Sequence, residues 1–356
     1  MAALKASRQT IEYQAHIDGF RAIAVLLVMV FHTGTFGLNN GFVGVDIFFV
    51  ISGYLINNSI IKQNVGREWS LWNYAIRRLY RIVPALLVML MLCLLVFLAI
   101  APPGELLRLA RDIPSVALFY SNQIFADSFG YFARPAEYNP LVHTWSLSIE
   151  AQLYALFGVL GAFYGPRFFP AAVLICTFAS FSYFLVNELN DAYFSLGARF
   201  WEFGLGGIVA YMRMHNRGGA GVSAEIGCVL ALLGCGFVLA LGGEAERKLA
   251  IIVTTLCFSA MILFLRSDSW LQRGVFPTTI GLPWHDFLFG FFAASAHLRR
   301  MASMVGCYSG YVGVSGADRH HLGAFRSVLP ICRASFFAPW NRNAEVGRAE
   351  LSGAPR

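Results

Sequence analysis

The chain has 356 residues, of which 57% are hydrophobic and only 13% charged, with a net charge of +7 and a mean hydropathy of +0.59. This balance excludes an ordinary soluble protein, a disordered chain, a collagen and a disulfide scaffold. Runs of about 18 or more apolar residues can cross a hydrocarbon core about 30 Å thick, and several follow one another here.

Such runs fall at about 20–37, 42–61, 82–101, 146–164, 168–186, 199–213, 224–242 and 249–265. They lack period-two alternation, so the spanning element is a helix and not a barrel strand. The expected fold is an all-α, polytopic transmembrane bundle of about eight to ten helices in the lipid bilayer. No small-residue cleavage site follows the first run, which is read as a retained span. With the N-terminus inside, Lys5, Arg8, Lys62, Arg67, Arg77, Arg78, Arg81, Arg167, Arg213, Arg217, Arg266 and Arg273 fall on the cytoplasmic side. Arg108, Arg111, Arg134, Arg247 and Lys248 fall outside. The basic excess therefore reads as orientation, with a cytoplasmic N-terminus, and not as a nucleic-acid surface.

A titratable group inside a span costs about 2.5–3.5 kcal/mol at mid-helix on insertion scales, so each one needs a reason. The first span carries Asp18, Arg21 and His32. Arg21 and His32 are three helical turns apart, on one face and about 16 Å from each other, with Asp18 one turn before Arg21. Taken alone, His32 reads equally well as a hydrogen-bonded core histidine. Its alignment with Arg21 favours a neutral imidazole that accepts a proton beside a guanidinium that holds an anion. The second span adds Asp46 among Gly41, Gly44 and Gly53. Its plainer reading is a structural partner for an arginine.

Arg77, Arg78 and Arg81 follow. They serve as a topology signal, yet Arg78 and Arg81 at i, i+3 also share a face able to grip two phosphates. The longest connection, Pro102 to His143, holds five prolines among amphipathic stretches and is expected to be an ordered external cap. At its end His143, Thr144, Ser146, Ser148 and Glu150 meet at a membrane boundary, with His143 and Glu150 seven apart on one helical face. Either a fixed network or a catalytic one fits them. Cys93, Cys176, Cys228, Cys235 and Cys257 lie inside apolar segments with no C-x-x-C, and read as packing residues, not metal ligands.

Four strings, in this order, resemble the membrane-bound acyltransferase-3 family, which acylates sugars of lipopolysaccharide, exopolysaccharide and related glycans. They are D-G-F-R-A-I-A-V-L-L-V-M-V-F-H at 18–32, G-F-V-G-V-D-I-F-F-V-I-S-G-Y-L-I at 41–56, R-R-L-Y-R-I-V-P-A at 77–85 and H-T-W-S-L-S-I-E-A-Q-L-Y at 143–154. The family's arginine, ten residues, then histidine falls on Arg21 and His32, and its arginine pair on Arg78 and Arg81. The resemblance implies His32 as the catalytic histidine and Arg21, Arg78 and Arg81 as residues needed for activity or donor binding. Asp18 and Glu150, read from their own positions, are further candidate catalytic groups. Asn40 and Ala151 stand where the family often has a glycine and an acidic residue. The implied activity is O-acyl transfer in the inner (plasma) membrane, with acetyl-CoA as acyl donor and no metal. The implied acceptor is a glycan or lipid-linked sugar. The alternative is a carrier whose intramembrane His, Arg and Asp line a transport path.

The resemblance runs through residue 273, so residues 1–273 are read as the transmembrane acyltransferase domain and 274–356 as an aberrant tail. Beyond Arg273 the segment from Asp286 to Ala296 is too short to span, and the rest is rich in Arg, Gly and Ser without periodicity. The family would place a line like G-x-I-S-Y-S-x-x-L-x-H-x-P here. The codons for Pro283 to Leu298, read one nucleotide later, can spell L-G-T-I-S-Y-S-V-F-L-L-H-L-P-I, and the Trp284-His285 codons force its glycine. A frameshift near codons 273–275 is therefore expected, and with it a product of doubtful activity. Nucleotide sequencing should show that string in the shifted frame; stops or an unrelated string there would rule the frameshift out.

Overall fold

The computed structural model describes residues 15–33, 40–65, 69–127, 139–215 and 246–264, with most positions from 227 to 236. Everything described as regular structure is helical. α1 spans Ala15–Thr33. A 3-10 turn, Gly41–Val43, leads directly into α2, Gly44–Val65. α3, Leu71–Ile100, starts eleven residues before its apolar run because Ser70 caps it, accepting the Asn73 N–H. The Arg77–Arg81 cluster is thus built into the helix. The connection expected to form a cap contains α4, Pro103–Ala117, and α5, Ser121–Asp127. Proline at the first position of α4 loses no intrahelical hydrogen bond.

The fourth and fifth expected spans are the two arms of α6, Thr144–Val186, which meet at a kink at Gly165 with φ +57°. Only glycine takes that conformation without a Cβ penalty, and Pro166 after it cannot donate back into the first arm. A short α7, Leu189–Tyr193, precedes α8, Leu196–His215, and α9 covers Glu246–Phe264. Five segments are long and apolar enough to cross a membrane: 41–63, 71–100, 144–165, 167–186 and 247–264. The apolar part of α1, Gly19–His32, is shorter. The expected span at 224–242 is helical where described and otherwise lies outside the described residues.

α8 is less apolar than these segments for a physical reason. It is the centre of the bundle, packed between α2 and α6, and its wall is protein instead of lipid. The α2–α8 approach is backbone to backbone: a Cβ at Gly53 would lie 2.1 Å from the Phe203 carbonyl oxygen, and one at Gly206 the same distance from that of Val50. At the periphery, Leu87, Val88, Met91, Leu95 and Leu98 of α3 are exposed, an apolar surface suited to lipid.

One ion cluster pins this core. Arg199 on α8 donates from Nη1 to Asp46 Oδ1 on α2 at 2.6 Å and to Glu202 Oε1 at 2.5 Å, and all three side chains are fully buried. Arg199 Nε donates to the Tyr193 carbonyl at 3.1 Å, and the Tyr193 ring lies 4.6 Å from the guanidinium. Asp46 is therefore an arginine's structural partner. Removing one member of such a cluster strands a buried charge, at a cost of about 3–5 kcal/mol. Arg199→Met should accordingly lower the thermal midpoint in detergent sharply, and adding Glu202→Gln should recover part of it. Equal melting of Arg199→Met and wild type would contradict this role.

Candidate active site

α3 runs antiparallel to the first arm of α6: Leu71 and Tyr74 lie against Gly158, and the Tyr74 hydroxyl donates to the Tyr154 carbonyl oxygen at 3.1 Å, with Arg78 against the Tyr154 ring. A cavity opens between these helices and α2. Its walls are Val45, Phe48 and Phe49 of α2 and Arg81, Ile82, Ala85, Leu86 and Met89 of α3. The third wall comprises His143 with Thr144, Ser146, Leu147, Glu150 and Tyr154 of α6. The period of 3.6 accounts for the α3 set: residues 81, 82, 85, 86 and 89 form one stripe, while Leu87, Val88 and Met91 face outward.

Glu150 is the carboxylate of this cavity. Its Oε1 accepts hydrogen bonds from the Ser52 hydroxyl of α2 at 2.5 Å and from the Tyr154 hydroxyl, one turn further along α6. The Arg78 guanidinium sits 5.3 Å from the Tyr154 ring and 5.4 Å from the Tyr74 ring. Arg81, one turn on, lines the cavity from an exposed position. Three of the sequence-derived residues, Arg78, Arg81 and Glu150, thus come together around Tyr154.

α1 holds the others. It is unbroken from Ala15 to Thr33, so the eleven-residue spacing keeps Arg21 and His32 on one side. Arg21 is buried, and His32, in the last turn, is half-buried with its ring edge-on to Phe31 at 5.4 Å. Neither is among the residues lining the α2–α3–α6 cavity. Asp18 is helical, and its side chain lies outside what is described.

The helices of the Pro102–His143 connection are fastened to the first arm of α6. Ser121 of α5 is 2.7 Å from the Ser148 hydroxyl, and Gln152 Nε2 donates to the Phe119 carbonyl at 2.7 Å and to Asn122 Oδ1 at 2.9 Å. On α4, burial raises the Asp112 carboxyl above the usual carboxylate range, against a 2.6 Å hydrogen bond from Asn139.

Sequence reasoning passed over Arg199, Glu202, Ser52 and Tyr154. The first two carried a usable signal, opposite charges at i, i+3 inside an apolar run. Tyr154 lies one helical turn after Glu150, on the face already marked as polar. Ser52 had no signal of its own, because its partner is 98 residues away.

A helical bundle with five helical segments long and apolar enough to cross a membrane among its described residues marks a multi-pass membrane protein. Its sequence matches the acyltransferase-3 family, described as an acyltransferase domain, over residues 14–295, and the chain belongs to that family. One relative, from Komagataeibacter xylinus and named a membrane-bound transacylase (BcsY), is 35% identical over 198 residues, which cover 54% of this chain and 50% of that protein. Another is the O-acetyltransferase OatA of Staphylococcus aureus, 33% identical over 214 residues, covering 56% of this chain and 35% of OatA. The chain therefore matches half or less of the length of these relatives. No solved structure matches it.

Proposed function

We propose that the protein is an integral membrane O-acyltransferase. It moves an acyl group, acetyl in the first instance, from a coenzyme A thioester to a sugar hydroxyl of a cell-surface glycan or lipid-linked sugar. The observation that carries this reading is the interior cavity that brings Arg81, with Arg78 beside it, to the hydrogen-bonded carboxylate of Glu150. Guanidinium groups suit the phosphates of the donor, and the apolar wall of Phe48, Phe49, Leu86 and Met89 suits its thioester arm and acyl group. The names of the two relatives, a transacylase and an O-acetyltransferase, agree with transfer to oxygen.

In this scheme the donor enters from the cytoplasm, its phosphates held by Arg78 and Arg81, with Arg21 as a further cation. His32 serves the acceptor, either as the base that takes the hydroxyl proton or as the carrier of the acyl group. Asp18 would orient the cationic stripe of α1. The bundle sits in the plasma membrane with its N-terminus inside, on the strength of the basic residues distributed between the spans. Residues 274–356 are the product of a shifted reading frame, and this form of the chain is correspondingly impaired. The family match itself continues to residue 295.

The carrier alternative is less well supported, because the buried Asp46, Arg199 and Glu202 are engaged with one another and are absent from the cavity lining. Membranes holding the form with the restored frame should pass label from acetyl-CoA to glycan, and the 356-residue form in parallel should pass less. Arg81→Ala should raise the donor KM, and His32→Ala should cut transfer by about 100-fold or more. Transfer that survives His32→Ala removes His32 from catalysis, and glycan movement without thioester consumption replaces the enzyme with a carrier.

A further inference from the structure

The connection between α3 and α6 is pinned to the membrane boundary at both ends. The apolar run of α3, 82–101, at 1.5 Å per residue crosses about 30 Å, and so reaches the edge of the hydrocarbon core at Ala101. Pro102, with ψ 153°, turns the chain there, and α4 begins at Pro103. Beyond α4, the Ser121 hydroxyl lies 2.7 Å from that of Ser148 and 3.1 Å from that of Thr144, in the first turns of α6. Because α6 runs antiparallel to α3, those turns are at the same boundary. Midway along α4, Asp112 accepts from Asn139, just before α6, at 2.6 Å. Both ends of α4 and its middle are thus held at one level, and the helix lies along the membrane surface.

Its two sides differ. Leu109, Ser115 and Val116 are buried, and Glu105 and Asp112, on the same side, are half-buried. The opposite face presents Leu107, Ala110, Arg111, Pro114, Ala117 and Leu118 at helical spacing, all exposed. Leu107 and Leu118, three turns apart, keep 74% and 71% of their surface open. Arg108 and Arg111 border this face. Arg108 meets Glu105 only at 3.8 Å with its side chain 58% exposed, and the Asp112 carboxylate is turned to Asn139. The outward charge of α4 is therefore positive.

We propose that the outer face of α4 is seated in the bilayer interface, with Arg108 and Arg111 holding the phosphates of anionic phospholipids. The face continues the lipid-facing surface of α3, whose Leu95, Leu98 and Ile100 are exposed up to the turn into α4. An amphipathic helix at that level sinks its apolar side about 5–10 Å, to the junction of headgroups and acyl chains. Arginines bordering such a face extend their stems along it and bring their guanidinium groups to the phosphates. Lipid accounts for the leucines, the flanking charge and the continuity with α3 together. The contact anchors, at the surface, the connection between two helices that wall the cavity.

Photolabelling by lipid tests this. The protein is reconstituted in phosphatidylcholine vesicles holding a trace of phospholipid with a diazirine near the carboxyl end of its acyl chain, and adducts are mapped by peptide mass spectrometry. The probe carries a phosphatidylglycerol or a phosphatidylcholine headgroup, and the exposed Leu95 and Leu98 of α3 are the internal standard. Adducts should fall on Leu107, Pro114 or Leu118, and not on the buried Leu109 or Val116. Relative to α3, their yield should be higher from the phosphatidylglycerol probe by about threefold or more. The double variant Arg108→Gln, Arg111→Gln should abolish that preference while α3 stays labelled. An unlabelled α4 beside a labelled α3 overturns the proposal, and a disulfide-linked dimer of Leu107→Cys would then assign the face to a second copy of the chain. Equal yields from both probes in wild type, or a preference that survives the double variant, overturn the part given to the arginines.

Discussion

The constraint that organises this bundle is the cost of charge in a low-dielectric interior. Arg199 is fully buried, and its position is tenable because Asp46 and Glu202 each take a hydrogen bond from the same nitrogen. That cluster joins the first turn of α2 to the first turns of α8, and the glycine seam at Gly53 and Gly206 lets the two backbones close below it. With α8 so fixed, α2 and α6 are set on either side of it. The cavity then forms where α2, α6 and α3 meet.

The polar chemistry consequently falls into two layers. One end of the bundle holds the starts of α2, α6 and α8, with Asp46, Arg199 and the Trp145–Tyr193 ring pair at 4.7 Å. Further along lie Ser52, Glu150 and Tyr154, and then Arg78 and Tyr74. The first layer is a closed network that holds helices together, and the second borders the cavity between α2, α3 and α6.

Much of this was legible in the sequence, because lipid imposes strong rules. Apolar runs of span length gave α2, α3, both arms of α6 and α9, and positional spacing gave the shared face of Arg78 and Arg81. The start of α3 was misplaced by eleven residues, since a capping serine and an amphipathic first turn carry little hydropathy. The importance of α8 was hidden for the opposite reason: a helix surrounded by protein needs no lipid-facing surface, so Arg199 and Glu202 weakened its apolar signal. The meeting of Ser52 with Glu150, 98 residues apart, is tertiary and had no local trace. The structure also separates what the motifs had placed in one list. Arg21 and His32 are on α1, whereas Arg81 and Glu150 line the cavity and Arg78 lies against the Tyr154 ring.

The central claim is that this cavity receives the acyl donor. A non-hydrolysable thioether analogue of acetyl-CoA with a photoreactive diazirine in the acyl position, activated in membranes and followed by peptide mass spectrometry, tests it most directly. The account predicts adducts on Phe48, Leu86 or Met89, competed away by acetyl-CoA. Adducts confined to the outward face of α3, at Leu87, Met91 or Leu95, or insensitive to acetyl-CoA, would contradict it.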